Sequence, residues 1–135
     1  MQLDNLPKLD VVADVPVIYN ADGDPLMGFK IVGKDSEQYR KQFKANKAAA
    51  FKRGAVKRTQ IDAKTKEGSE ELTELIEGND RALAEAVIVD WYGFTSGGEP
   101  AAFDKASVKD LFDKYPTWVD KVLTALENDS NFMKI

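Results

Sequence analysis

The chain has 135 residues, of which 43% are hydrophobic and 31% charged, enough for one compact core beneath a well-solvated surface. It contains no cysteine and no histidine, which excludes disulfides, thiolate or imidazole metal sites, a cysteine nucleophile and a Ser-His-Asp triad. The net charge of −4 is the sum of three unequal blocks: −4 over residues 1–39, +9 over residues 40–66 and −9 over residues 67–135.

The first predicted element is a β-hairpin over residues 15–33. Two β-rich runs flank Asp22-Gly23, a dipeptide that readily adopts the positive φ angles of a tight turn. The surrounding Asn20-Ala-Asp-Gly-Asp24 is not an EF-hand loop, because Pro25 and Ile31 stand where that loop needs a glycine and a bidentate glutamate. A lone hairpin is only marginally stable in water, so we expect it to pack on a helix or to gain a third strand.

A long basic helix is predicted to follow, with Asp35 or Ser36 as its N-cap and with Gly54 weakening or ending it. Residues 59–68 show no apolar periodicity and are predicted to be a linker or mobile loop. We therefore expect an N-terminal unit over residues 1–58, this loop, and a C-terminal helical body over residues 69–135, or all of these in one compact unit.

The C-terminal body is predicted to begin with a helix at Ser69 that breaks or bends at Gly78-Asn79-Asp80. Leu83, Val87 and Trp91 then stand at the i, i+4, i+8 spacing of one helix face. The apolar run from Ala86 to Tyr92 is accordingly predicted to be a buried helical segment.

Two further helices are predicted after a loop with turn residues at Gly97-Gly98. The first begins at Asp104 or Ser107, and the second has Pro116 in its first turn. Phe132 and Met133 are expected to fold back on the core. The predicted class is a mainly helical α+β fold with an N-terminal β-hairpin, a long basic helix and a C-terminal bundle of three to four helices.

The basic segment 40–66 is the main candidate for interaction. Its cations could contact phosphates, but the whole chain is acidic, with a pI of about 4.9, and nucleic-acid-binding domains are usually basic throughout. Attraction to an acidic protein surface, including that of a second copy, explains both halves of the charge pattern; an ordinary solvated helix face is the other interpretation. The hypothesis names five residues that meet the acidic surface of a neighbouring copy: Arg40, Lys44, Lys47, Lys52 and Arg53.

Other candidate residues are better explained without a special function. The acid pairs Glu70/Glu71 and Asp110/Asp113 are predicted to lie on solvated helix faces, because acid–base work would require an apolar pocket with a raised pKa. Trp91 and Trp118 lie on apolar stripes and are predicted to pack in the core. No catalytic, cofactor-binding or metal-binding residue is assigned.

Several short motifs resemble those of a known family. The stretch Val89-Asp-Trp-Tyr-Gly-Phe94 is followed by Gly98-Glu-Pro-Ala-Ala-Phe103, Lys109-Asp-Leu-Phe112, Trp118-Val-Asp-Lys-Val122 and Asn131-Phe132. This set resembles the C-terminal part of tail assembly chaperones from long-tailed, lambda-like bacteriophages (siphoviruses). The N-terminal hairpin with Lys34-Asp-Ser-Glu-Gln-Tyr-Arg40 is also similar to segments of small phage morphogenesis proteins. The likeness covers most of the chain.

The resemblance implies a protein that is not an enzyme and has no cofactor. Members of this family act in the cytoplasm of the infected bacterial host, bind the tape measure protein, help tail tube protein to polymerise along it, and are absent from the mature virion. Many also have a longer form made by ribosomal frameshifting, of which this chain would be the shorter product. Self-association into oligomers is expected as well, because a basic helix between acidic segments suits head-to-tail contacts.

Membrane and nucleic-acid partners are not expected. No apolar run approaches the roughly 20 residues that cross a bilayer, and Met-Gln-Leu-Asp at the start lacks the features of a signal peptide. The leading alternative is a small nucleic-acid-binding regulator that uses residues 40–66, and a structural head or tail component of the virion is a third possibility.

Overall fold

The structure is a computed structural model that describes residues 6, 8–9, 11–57 and 66–133, apart from the side chains at 53–57, 67 and 129. It confirms the α+β class, with a β-hairpin first and helices after it. The elements, in chain order, are β1 (Val12–Tyr19), β2 (Pro25–Val32), α1 (Glu37–Lys57), α2 (Lys66–Val87), β3 (Ile88–Tyr92), β4 (Thr95–Ser96), β5 (Glu99–Pro100), α3 (Lys105–Lys114), α4 (Thr117–Glu127) and a 3-10 turn (Asp129–Asn131).

The predicted hairpin is confirmed as β1 and β2, which pair antiparallel from Val12 opposite Val32 to Tyr19 opposite Pro25. In its turn, the Asn20 side-chain oxygen accepts backbone N–H hydrogen bonds from Asp22 and Asp24, both at 2.9 Å. The expected support is present too, because β3 pairs antiparallel with β2 and completes a sheet of order β1-β2-β3.

The prediction of a helix through residues 86–92 is wrong, since α2 ends at Val87 and the chain passes directly into β3. Ile88, Val89, Trp91 and Tyr92 are β-branched or aromatic, and such residues favour strands. The spacing of Leu83, Val87 and Trp91 is also compatible with a helix. This segment becomes a strand because it pairs with β2, which is distant in the sequence.

The break predicted at Gly78-Asn79-Asp80 is also absent, because α2 runs continuously from Lys66 to Val87. A glycine inside a helix costs about 1 kcal/mol relative to alanine, which the packing of α2 against its neighbours offsets. Residues 66–68 of the predicted linker are therefore helical, and the rest of it, at 59–65, lies outside the described residues. The predicted boundary after residue 58 lies outside them as well.

The predicted turn at Gly97-Gly98 is confirmed, and it joins the short strands β4 and β5. Asp104 is the N-cap of α3, where its carboxylate accepts the Ala106 N–H at 3.1 Å. Pro116 immediately precedes α4. Phe132 is buried as expected, whereas Met133 is largely exposed.

The core lies between one face of the sheet, the C-terminal end of α2 and the helices α3 and α4. Phe29 of β2 is at its centre and is fully buried. Its ring stacks on Phe94 at 5.7 Å and meets the edges of Phe112 and Trp118, each at 5.9 Å between centroids. The hairpin and the C-terminal helices thus share one core, to which α1 contributes only Tyr39 among the described residues.

Candidate interaction surface

Ser36 sets the start and direction of α1. Its side chain is buried; Oγ accepts the Tyr39 N–H at 3.2 Å and donates to the Gly33 carbonyl at 2.6 Å. This hydroxyl therefore caps the helix and ties it to the end of β2. Glu37, in the first turn, interacts favourably with the positive end of the helix dipole. The N-cap prediction is confirmed at Ser36.

The contact between α1 and α2 is polar. Tyr39, Gln42 and Asn46 follow one another at helical spacing and are the half-buried residues of α1 among those described. Gln42 donates to the Asn46 side-chain oxygen at 2.8 Å, and the Asn46 amide donates to the Asn79 carbonyl of α2 at 3.3 Å. Helix α1 has no apolar stripe; the first of these hydrogen bonds lies within α1, and the second joins it to α2. We call α1 and residues 66–79 of α2 the helical arm.

A second side of α1, turned roughly 120° from this seam, exposes cations and aromatic rings together. Phe51 is 84% exposed and Phe43 is 41% exposed. At 3.6 residues per turn, these rings lie on one side of the helix with three exposed cations. We call this set the basic–aromatic face; its members are Arg40, Phe43, Lys44, Lys47 and Phe51. Lys47 Nζ lies 4.6 Å from the centre of the Phe43 ring, so the cation and the ring attract one another.

Three of the five residues of the sequence hypothesis lie on the basic–aromatic face. Arg40, Lys44 and Lys47 are exposed on the basic–aromatic face, and none of them has an ion-pair partner among the described residues. Lys52 is exposed too, but it follows Phe51 by one residue and so points about 100° away. The side chain of Arg53 lies outside the described residues. Lys47 and Phe51 are four residues apart, which places them on one side of a helix. This spacing is the sequence signal that could have identified the basic–aromatic face.

A cleft of about 370 Å³ opens between α2, α3 and α4. Four carboxylates line it, together with one arginine and an apolar surface. The acids are Glu77, Asp80, Asp113 and Asp120, the cation is Arg81, and the apolar residues are Phe112, Pro116 and Val119. We call this the acidic cleft. Its walls come from three helices that meet only in the folded chain.

Arg81 joins the helices that form the acidic cleft. Its guanidinium contacts Asp113 of α3 at 2.7 Å and Glu85 of α2 at 3.1 Å, and it donates to the Lys109 carbonyl at 2.9 Å. Hydrogen bonds to Asp113 and then to Glu85 raise the pKa of Arg81, against a smaller opposing effect of burial. Arg81 is thus a fixed positive charge that neutralises part of the cleft.

Lys105 links the start of α3 to the junction between α2 and β3. Its ammonium donates to the carbonyl of Ile88 at 2.6 Å and also to that of Glu85. Burial lowers the pKa of Lys105, and the charge of Glu85 opposes that effect. The ammonium supplies a partner to the Glu85 carbonyl in the last turn of α2, where a helix has none of its own, and to the Ile88 carbonyl at the start of β3.

The remaining candidates have structural explanations. Glu70, Asp110 and Asp113 are exposed, as predicted, whereas Glu71 is half-buried. Trp118 is buried in the core. Trp91 is half-buried and packs against the core cluster, and its indole N–H donates to the Ala101 carbonyl at 2.9 Å.

Within the described residues there is no group of three or more carboxylates placed to hold a metal ion, and no buried side-chain nitrogen or oxygen lacks a hydrogen-bond partner. In that same part of the chain, no helix combines the length and the hydropathy that a membrane span requires.

Comparisons with known proteins found no matching family model, no matching curated protein and no matching solved structure.

Proposed function

We propose that this protein is a tail assembly chaperone of a long-tailed bacteriophage. In this role it binds the tape measure protein in the cytoplasm of the infected bacterium, promotes tail tube assembly, with tail tube protein as a second possible partner, and is absent from the mature virion. The proposal begins from the motif resemblance between residues 89 and 132. It requires no catalytic residue and no cofactor.

The observation that carries the proposal is the exposed apolar surface of the helical arm. Phe51 is 84% exposed and Ile76 is 51% exposed, on two helices that lie mostly outside the core. Single exposed apolar residues are common, whereas several on one part of the chain, here Phe43, Phe51 and Ile76, can form a patch that binds another protein. A tape measure protein has long amphipathic helices, and such helices bind by laying apolar residues against a complementary apolar surface.

The test is co-expression with the tape measure protein encoded in the same phage genome, followed by a solubility and pull-down assay. The tape measure protein is expected to become soluble and to co-purify. The variant Ile76→Ser should reduce the co-purified amount, whereas Leu26→Ser, at a similarly exposed apolar residue outside the arm, should not. A tape measure protein that stays insoluble with the wild-type chain contradicts the proposal, and so does detection of this chain in purified particles.

The second candidate, a nucleic-acid-binding regulator, is favoured by one specific observation. Phe43 and Phe51 lie on the same face as Arg40, Lys44 and Lys47, and aromatic rings beside cations can stack on bases while the cations contact phosphates. Retardation of DNA or RNA that weakens steeply as salt is raised would support this function. The chaperone is expected to give no such retardation.

A further inference from the structure

We propose that the basic–aromatic face of one copy docks in the acidic cleft of a second copy of this chain. The face lies on α1, and the cleft lies between α2, α3 and α4. The two surfaces differ, so each copy offers one of each, and the contact is head-to-tail. Contacts of this kind close into a ring or continue as an open filament, depending on the rotation between copies. This proposal does not rest on the proposed function.

Uncompensated charges of opposite sign are the first argument. In the part of the chain that the structure describes, Glu77, Asp80 and Asp120 of the cleft have no ion-pair partner, and neither do the cations of the basic–aromatic face. More broadly, α1 carries seven bases and one acid, while α2 carries seven acids and two bases. Complementary potentials of this kind steer two surfaces together and fix their register.

Apolar complementarity is the second argument. Phe51 lies one helical turn beyond Lys47 on the same side of α1 and extends into solvent, at 84% exposure. The acidic cleft presents the apolar atoms of Pro116 and Val119 between its carboxylates, and buried Phe112 also lines it. A volume of about 370 Å³ lies within the range of roughly 300–1,000 Å³ found for protein pockets. The cleft is therefore large enough for one aromatic ring flanked by lysine side chains, and too small for a whole helix.

The cleft of the same copy is not the binding partner. The half-buried residues of α1, which are Tyr39, Gln42 and Asn46, are the ones that face inward, and Asn46 contacts α2 directly. The basic–aromatic face is turned roughly 120° around α1 from this seam, with Phe43 stacked on Tyr39 at its near edge, whereas α2 forms a wall of the cleft. An acidic cleft would also repel a nucleic acid bound nearby. A second copy is the partner that satisfies both surfaces at once.

The first experiment compares charge reversals on two sides of α1. The variant Lys44→Glu/Lys47→Glu changes the basic–aromatic face, and the control Lys41→Glu/Lys52→Glu makes the same change of charge on other exposed positions of the helix. Oligomer distributions are measured by light scattering over a concentration series at about 50 mM and 500 mM salt, since low salt leaves surface charges unscreened. Association should weaken at least tenfold in the first variant and by less than threefold in the control.

The second experiment reverses the acceptor. Glu77→Lys/Asp120→Lys should also weaken self-association at least tenfold, while Asp22→Lys/Glu99→Lys, at exposed residues that do not line the cleft, should not. Mixing the cleft variant with Lys44→Glu/Lys47→Glu should restore association, because each reversed surface then meets an opposite one. Circular dichroism of every variant checks that the fold is retained.

Three results would overturn the proposal. One is a wild-type chain that remains monomeric throughout the concentration series at low salt. Another is equal weakening by the face variant and its control on α1. The third is failure of the mixed variants to associate when each is folded. Phe51→Ser should weaken association even at 500 mM salt, because its contribution is apolar; an unchanged distribution there shows that the ring does not enter the cleft.

Discussion

Gly93→Ala is expected to destabilise the fold far more than Gly98→Ala, although both glycines have nearly the same positive φ angle. Their φ angles are +81° and +82°, a region in which an L-residue with a side chain costs about 1–2 kcal/mol. The surroundings differ. A Cβ at Gly93 would lie 2.0 Å from the Leu26 carbonyl oxygen, whereas a Cβ at Gly98 would meet nothing within 4 Å.

The overlap at Gly93 cannot be relieved by a side-chain rotation, since the atom that it meets belongs to the backbone of β2. Moving a strand backbone in a packed sheet adds about 1–3 kcal/mol. The expected losses in the free energy of unfolding are therefore about 1–2 kcal/mol for Gly98→Ala and about 2–5 kcal/mol for Gly93→Ala. The second is a large part of the roughly 5–15 kcal/mol that holds a small domain folded.

Urea unfolding followed by far-UV circular dichroism measures both losses. With a slope of about 1–3 kcal/mol per molar urea, the midpoints of the two variants should differ by on the order of 1 M. Equal midpoints would refute the close approach of β2 to the residue that follows β3. If Gly93→Ala is unfolded without urea while Gly98→Ala is folded, the result agrees with that close approach.

Two further predictions concern the residues that connect α2 to its neighbours. Lys105→Met should lower the free energy of unfolding by about 1–2 kcal/mol, because the carbonyls of Glu85 and Ile88 lose their donor; the exposed control Lys109→Met should leave it nearly unchanged. Burial lowers the pKa of Lys105, so near its ordinary pKa of 10.5 the unfolded chain binds more protons than the folded one. Lys105 therefore makes the free energy of unfolding rise with pH near pH 10.5. Urea unfolding of Lys105→Met at alkaline pH should lack this rise. Arg81→Met should lower the free energy of unfolding by about 1–2 kcal/mol, because its contacts with α3 are lost. The same substitution should strengthen self-association at low salt, because the acidic cleft loses its cation. Weaker association of the folded mutant would contradict the head-to-tail contact.

Local signals predicted the parts of the fold that local chemistry determines. Asp22-Gly23 marked the first hairpin, Ser36 and Asp104 marked the starts of two helices, and Pro116 marked the start of the last. The segment from Ile88 to Tyr92 could not be assigned in this way, because its apolar spacing fits a helix and its residue types fit a strand. Its pairing with β2 brings together residues about 60 positions apart, and no window of sequence contains that information.

The candidate interaction surfaces likewise include one that local sequence signals predict and one that they do not. The cations of α1 and the two exposed phenylalanines are visible in the sequence, and helical periodicity alone separates Arg40, Lys44 and Lys47 from Lys52. The acidic cleft was not predictable, because Glu77, Asp113 and Asp120 come from three helices whose packing places them around Phe112. Counting charges by block located the basic segment, whereas the acidic residues were spread over half of the chain.

The polar seam between α1 and α2 connects the stability of the helical arm to what the arm binds. A helix without an apolar stripe gains little from burial, so α1 depends on its own helix propensity, on the Ser36 cap and on hydrogen bonds through Gln42 and Asn46. Each of these contributes on the order of 1 kcal/mol. The free energy that holds α1 in place is therefore small. A partner that covers Phe51 and neutralises the adjacent lysines would add to it, since ligand binding stabilises the conformation that it requires. Association through the proposed contact is therefore expected to stabilise α1 as well.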